Sequence, residues 1–218
     1  MTAAPHVLIV GAAPEPGRGT HYASVIATAD VVIAADRGLH LCLEAGRVPD
    51  VCVGDFDSVD EARLEEARSA GARIVRYPAE KDASDLDLAL EEARAIGAGR
   101  VTFTAAYSAR IDHTLAALGT LLRSADLRGC ADEPSMATHA LEAGGGRLSL
   151  RAQPGTTISV FALGGCATVT LEGVLYPLSG HVLDPLSSVG LSNVATAREQ
   201  VVTVLDGQLL VTVWRERT

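Results

Sequence analysis

The sequence is poor in positive charge. Its 218 residues carry 18 Lys and Arg against 27 Asp and Glu, a formal net charge of −9. Proteins that bind nucleic acid by neutralising phosphates need a basic surface, so that class is excluded. Aromatic residues make up only 4% of the chain, too few for a base-stacking platform. The four cysteines, Cys42, Cys52, Cys130 and Cys166, form no CxxC pair, which argues against a zinc site. They are expected to be buried free thiols of a cytoplasmic protein. No stretch approaches the roughly 18 uninterrupted apolar residues of a membrane span. The first residues also lack the regions of a secretory signal. No membrane partner is expected.

What is present is a globular composition, with 48% hydrophobic and 21% charged residues. Up to about residue 127, short apolar runs alternate with helical patterns. Strands are predicted at His6–Gly11, Val31–Ala35, Val51–Val53, Arg73–Tyr77 and Val101–Ala105. Helices are predicted at Tyr22–Ala29, Leu39–Ala45, Asp60–Ala70, Ser84–Ile96 and Ile111–Ala125. That alternation implies a mostly parallel sheet covered on both faces. From residue 128 the helical periodicity stops. Strand-like runs at Arg147–Arg151, Thr157–Leu163, Ala167–Leu171, Val201–Leu205 and Leu209–Trp214 are punctuated by Gly144-Gly145-Gly146 and Pro154-Gly155. Asp206-Gly207 reads as a hairpin turn. The expected architecture is an α/β domain over 1–127 followed by an antiparallel β-sandwich over 128–218.

The acidic residues are not scattered. Asp36 ends the second strand. Asp55 and Asp57 follow the third, two residues apart and so able to point the same way. Gly54 beside them lets the backbone come close to a ligand. Lys81-Asp82-Ala83-Ser84-Asp85 follows the fourth strand and opens a helix, with Ser84 a good N-cap. Arg110-Ile111-Asp112-His113 follows the fifth strand and opens another. Open α/β sheets bind ligands at the carboxyl ends of their strands. Carboxylates converging there suit Mg²⁺ beside a phosphate, and Lys81 and Arg110 suit the phosphate itself. Helix capping accounts for some of these residues: Ser58 with Glu61 forms a capping-box pattern. The loop Gly11–Thr20 is glycine-rich but lacks the P-loop ending.

Taken in order, these blocks resemble the thiamin pyrophosphokinase family. The resemblance runs through Ala35-Asp36-Arg37-Gly38, Pro49-Asp50-Val51-Cys52-Val53-Gly54-Asp55-Phe56-Asp57-Ser58, Lys81-Asp82-x-Ser84-Asp85 and Arg110-x-Asp112-His113. It continues in Gly173-x-x-Tyr176-x-Leu178 and Leu191-Ser192-Asn193. The resemblance implies transfer of a diphosphoryl group from ATP to the hydroxyl of thiamin, with release of AMP. It also implies a homodimer with active sites at the subunit boundary. By the same resemblance Asp55, Asp57 and Asp85 hold Mg²⁺. Asp36, Lys81, Asp82, Ser84 and His113 lie on the nucleotide side, Arg110 and Asp112 hold phosphates and metal-bound water, and Tyr176, Ser192 and Asn193 meet thiamin. Asp112 is the candidate general base.

Two departures from the family pattern stand out. Ala105-Ala106-Tyr107-Ser108-Ala109 replaces a glycine-rich run, and Arg37 stands where glycine is common. Alternatives therefore remain open: a pyrophosphokinase for another acceptor alcohol such as a hydroxymethyl pterin, or an inactive binding module. Asp55-Phe56-Asp57-Ser58-Val59 also resembles the D-x-D signature of haloacid dehalogenase-type phosphatases, where the first Asp is a nucleophile. That signature follows a first strand, whereas two βα units precede it here.

Overall fold

A computed structural model describes residues 3–144 and 146–215. Met1, Thr2 and Gly145, on which the leader and turn expectations partly rest, lie outside them. The chain divides into two compact units, one of Met1–Thr120 with Ala131–Pro134 and one of Leu121–Cys130 with Ser135–Thr218.

The first unit is built on strands β1 (His6–Val10), β2 (Val31–Ala35), β3 (Val51–Gly54), β4 (Arg73–Arg76), β5 (Arg100–Thr104) and β6 (Cys130–Glu133). The order is β6-β5-β1-β2-β3-β4, and β1 to β5 pair in parallel. Helices α1 (Gly19–Ile26), α2 (Gly38–Glu44) and α3 (Glu61–Ser69) bury Tyr22, Ile26, Leu39, Cys42, Leu64 and Ala67 against Leu8, Val10, Val32, Ala34 and Cys52. Alternation along a strand turns Val7, Ile9, Ile33 and Val53 to the other face. There α4 (Asp85–Ile96) packs on β1, β2 and β3 as the chain returns from one edge of the sheet to β5. Burial on both faces explains why β1, β2 and β3 are almost wholly apolar. Helix α5 (Ile111–Arg123) follows β5.

Successive strands move away from β1 in one direction through β4, and β5 then joins β1 on its other side. The strand order reverses there, and a crevice lies at the carboxyl ends of the strands. Glycine makes the close packing there possible. A Cβ on Gly38 would lie 2.1 Å from the Val10 carbonyl oxygen, and one on Gly11 would lie 2.4 Å from that of Ala105.

The second unit is a sandwich of β7 (Met136–Glu142), β8 (Arg147–Leu150), β9 (Thr157–Phe161), β10 (Ala167–Glu172), β11 (Leu178–Leu183), β12 (Asn193–Val194), β13 (Gln200–Asp206) and β14 (Gln208–Trp214). One layer runs β12-β9-β14-β7 and the other β11-β10-β13-β8, with antiparallel pairing in both. Ile158, Val160, Leu209 and Val211 of the first layer share a core with Val169, Leu171, Leu183, Val202 and Val204 of the second.

Three expectations are corrected. Asp206-Gly207 does not close a paired hairpin, because β13 pairs with β10 and β8 while β14 pairs with β7 and β9. The turn carries the chain from one layer to the other. Gly207 takes φ 77°, and a Cβ there would lie 2.3 Å from the Cys166 carbonyl oxygen. Ser58 does not cap α3. Asp60 does, accepting from the Ala62 N–H, because the helix begins at Glu61, two residues later than a Ser58 cap would start it. Finally, Cys42, Cys52 and Cys130 are buried free thiols, but Cys166 is exposed.

Candidate active site

The crevice at the strand ends is a cleft of about 610 Å³. Every one of the first five strands contributes to its wall. Gly11 to Ala13 follow β1, Asp36 and Arg37 follow β2, and Ser58 follows β3; Lys81, Ser84 and Asp85 follow β4, and Ala105, Ala106, Ser108 and His113 follow β5. The expected residues Asp36, Lys81, Ser84, Asp85 and His113 thus share one cavity.

Its acidic corner is compact. Oxygens of Asp36, Asp55 and Asp57 all lie within 4.8 Å of one another. Asp57 donates its backbone N–H to Asp55 Oδ1 at 3.2 Å, folding the two carboxylates into one turn. Ser58 Oγ donates to Asp36 Oδ2 at 2.6 Å, linking the β3 loop to the β2 loop. Lys81 Nζ bridges Asp55 Oδ2 at 3.3 Å and Asp85 Oδ1 at 3.1 Å. Arg76, stacked 5.2 Å over the Phe56 ring, donates to the Asp55 carbonyl at 3.0 Å and fixes the turn from below. Neither Arg76 nor the Ser58 link was legible from spacing, because each joins residues more than twenty positions apart.

The electrostatics follow from this packing. The Asp57 N–H and then Lys81 hold the Asp55 carboxyl below its usual range. Asp85 moves the opposite way, because burial and the Asp36 and Asp55 charges outweigh Lys81. For Lys81, burial lowers the pKa, but Asp85 and Asp55 more than offset it and hold the ammonium charged.

The backbone is strained at this edge. Asp36 (φ 46°), Phe56 (φ 60°) and Ala105 (φ 51°) all adopt the left-handed conformation, and each stands in the turn after a strand. Non-glycine residues hold such angles only where their surroundings over-determine them, and such turns cluster at functional sites. Ala105 holds a backbone shape that glycine adopts freely.

The other expected residues sit as follows. Ser84 caps α4 in a full capping box with Asp87, as expected. Asp87 also accepts from Thr120 Oγ1 at 2.5 Å, tying α4 to α5. Asp82 is exposed in the turn before α4. Arg110 grips Asp112 with two hydrogen bonds, 3.2 and 2.6 Å, on the exposed first turn of α5. That guanidinium holds the Asp112 carboxyl at about 2. In the sandwich, Tyr176 is 67% exposed while Asn193 is 2% exposed. Asn193 accepts from the Tyr176 N–H at 3.0 Å and donates to the Tyr176 carbonyl at 2.7 Å. Its amide is spent on the backbone that presents Tyr176. Ser192 (φ 53°) donates its N–H to Ser159 Oγ at 3.0 Å.

A doubly wound sheet with charged residues at its switch-point crevice, followed by a β-sandwich, defines a two-unit α/β protein with a charged cleft at its strand ends. Residues 22–133 match the family model for the thiamin pyrophosphokinase catalytic domain, and residues 147–208 match that for its vitamin B1 binding domain. The chain belongs to the thiamin pyrophosphokinase family. A thiamine pyrophosphokinase from Bacillus subtilis (strain 168) is 42% identical over 59 residues, 27% of this chain. That stretch spans 28% of the relative's own length. The fold agrees with a crystal structure of a thiamine pyrophosphokinase from Bacillus subtilis at TM-score 0.82 and 21% identity, covering 97% of this chain and 100% of the other. It also agrees with a thiamin pyrophosphokinase from Candida albicans at TM-score 0.77 and 15% identity, covering 98% and 90%.

Proposed function

We propose that this protein transfers a diphosphoryl group from ATP to the hydroxyl of thiamin, releasing AMP, in a Mg²⁺-dependent reaction. The observation that carries this reading is the convergence of Asp36, Asp55 and Asp57 beside the Lys81–Asp85 pair at the mouth of the crevice. The site fits a hard cation. Its donors are carboxylate oxygens, and Asp36 Oδ1 is buried without a hydrogen-bond partner. Asp55, Asp57 and Asp85 would hold the ion, with Asp36 beside them. When bound, Mg²⁺ supplies charge neutralisation for the phosphates.

The remaining work falls to the chain's own groups. Diphosphoryl transfer needs in-line positioning and electrostatic stabilisation more than covalent help. Lys81, kept charged by two carboxylates, is placed to meet the transferred phosphates. Arg110 stands free of the core and can exchange Asp112 for phosphate oxygens, a bidentate match. Arg110 draws the Asp112 carboxyl down to about 2 while it holds it, and once Arg110 turns to phosphate Asp112 is the candidate general base. Asp82, Ser84 and His113 border the nucleotide. Tyr176 offers its ring to the thiamin heterocycle, with Ser192 at hand and Asn193 fixing the Tyr176 backbone.

A homodimer and a cytoplasmic location belong to the same reading. Leu175, Tyr176, Val182, Leu186, Val189 and Leu191 are exposed on the sandwich unit, the kind of surface a second copy would cover. Light scattering should return twice the chain mass. No helix among the described residues is long and apolar enough to cross a membrane. The deciding assay is AMP release from Mg-ATP with and without thiamin, with a hydroxymethyl pterin as the competing acceptor. Thiamin-dependent AMP release is expected. Pterin-dependent release, or none with either acceptor, would defeat the reading.

A further inference from the structure

One carboxylate lies outside everything assigned above. Glu133 ends β6 and is 2% exposed. Its Oε1 accepts the Ala106 N–H at 2.8 Å and its Oε2 the Ala105 N–H at 3.2 Å. The Tyr22 hydroxyl donates to Oε2 at 3.4 Å and itself accepts the Glu15 N–H at 2.8 Å. The two loops that meet in this network also touch directly, since Ala13 donates to the Ala105 carbonyl at 2.9 Å. Both loops line the cleft, one through Gly11 to Ala13 and the other through Ala105, Ala106 and Ser108.

Burying a carboxylate is costly unless its oxygens are satisfied, so its retention calls for a local reason. Ala105 supplies one. It holds a left-handed turn that glycine adopts freely and alanine does not, and its own N–H is one of the two that Glu133 grips. The N–H groups of Ala105 and Ala106 are thereby committed to protein, not to a ligand.

We propose that Glu133 is a positioning residue for the nucleotide: it clamps the Ala105 turn and, through Tyr22, the Glu15 loop, in the shape that receives the phosphates. This rests on the ATP-dependent reading above. It adds that a buried carboxylate does here what the missing glycines would otherwise do.

The test has parts that fail independently. In the ligand-free protein, Glu133→Gln should speed amide exchange at Ala105 and Ala106, whatever the protein binds. Mg-ATP affinity by calorimetry, without thiamin, should fall about tenfold, as expected when a buried donor loses its acceptor. The KM for thiamin should hardly move. Adding Ala105→Gly to Glu133→Gln should restore most of the nucleotide affinity, because glycine keeps the turn unaided. Tyr22→Phe should weaken Mg-ATP binding about threefold and stands in if Glu133→Gln does not fold. Unchanged exchange and unchanged Mg-ATP affinity in a folded variant would overturn the proposal. So would equal losses for both substrates with no rescue by Ala105→Gly, since that marks a general scaffold role. Faster exchange in Glu133→Gln, with no Mg-ATP binding by the wild-type protein, would keep the clamp but sink both its nucleotide role and the functional reading.

Discussion

The two units place chemistry in opposite ways. In the α/β unit β1, β2 and β3 are buried on both faces, polar side chains gather in the turns after the strands, and the candidate site is made of charges. In the sandwich β10 and β13 alternate buried with more open residues, and the expected ligand residue Tyr176 is an exposed ring. Its backbone is held by Asn193, whose amide faces inward. The first unit gathers charged side chains on strained turns. The second uses a buried amide to hold a shape. Substitutions should therefore fail differently: charge changes should remove turnover while leaving the fold, and changes in the sandwich should loosen structure and acceptor binding together.

The largest effect should come from the acidic corner. Asp55→Asn and Asp85→Asn should each lower thiamin-dependent AMP release by about 100-fold or more. Thermal stability should hold or rise in Asp85→Asn, whose carboxyl burial pushes up, and fall modestly in Asp55→Asn, whose charge the Asp57 N–H and Lys81 stabilise. Full activity in either variant would refute the metal assignment.

The next effect concerns pH. Burial, the first cause, and the Glu15 charge push the Glu133 carboxyl up to about 7 from an ordinary 4.5, against the pull of the Ala106 and Ala105 amides. The native state then binds this proton more tightly than the unfolded chain. The group's contribution to stability is complete below about 4.5 and declines as pH rises to about 7, by roughly 3 kcal/mol at most. Denaturant unfolding between pH 5 and 8 should show that decline, and it should flatten in Glu133→Gln. An unchanged slope in the variant would assign the decline to other groups.

Smaller losses should follow elsewhere. Asn193→Ala leaves backbone groups of Tyr176 and Val194 without partners and should cost roughly 2 kcal/mol. It should raise the KM for thiamin and spare that for ATP; an equal rise in both would erase the contrast between the units. Ser84→Ala removes half of the α4 capping box and should cost about 1 kcal/mol in urea unfolding. A loss much beyond that would show that Ser84 does more than cap.

The elements of the α/β unit could be read in advance because strands buried on both faces leave an unbroken apolar signal, as in His6–Val10 and Val31–Ala35. Strands β6, β7 and β11 escaped that reading. Cys130–Glu133 ends in Asp and Glu, Met136–Glu142 mixes Thr and His with apolar residues, and Leu178–Leu183 carries Gly180, so each looks like loop. Asp206-Gly207 was legible as a turn, but a local turn signal does not say which layer receives the next strand. In the site, residues clustered within a few positions, such as Lys81 to Asp85, stood out. Partners distant in sequence did not: Ser58 with Asp36, Arg76 with the Asp55 carbonyl, and Glu133 with Ala105.

The sequence by itself determined the two-part architecture, the family and the acidic residues at successive strand ends, because periodicity and short motifs are local properties. The tertiary structure decided which carboxylates meet. Asp36, Asp55 and Asp57 converge because β2 and β3 pair in parallel and Gly54 lets their ends close up. It also decided that an alanine keeps a left-handed turn, since the acceptor for its N–H comes from Glu133 on a strand 28 residues away in sequence. Hydrogen bonds act over about 3 Å of space, and only the folded chain sets which residues share it.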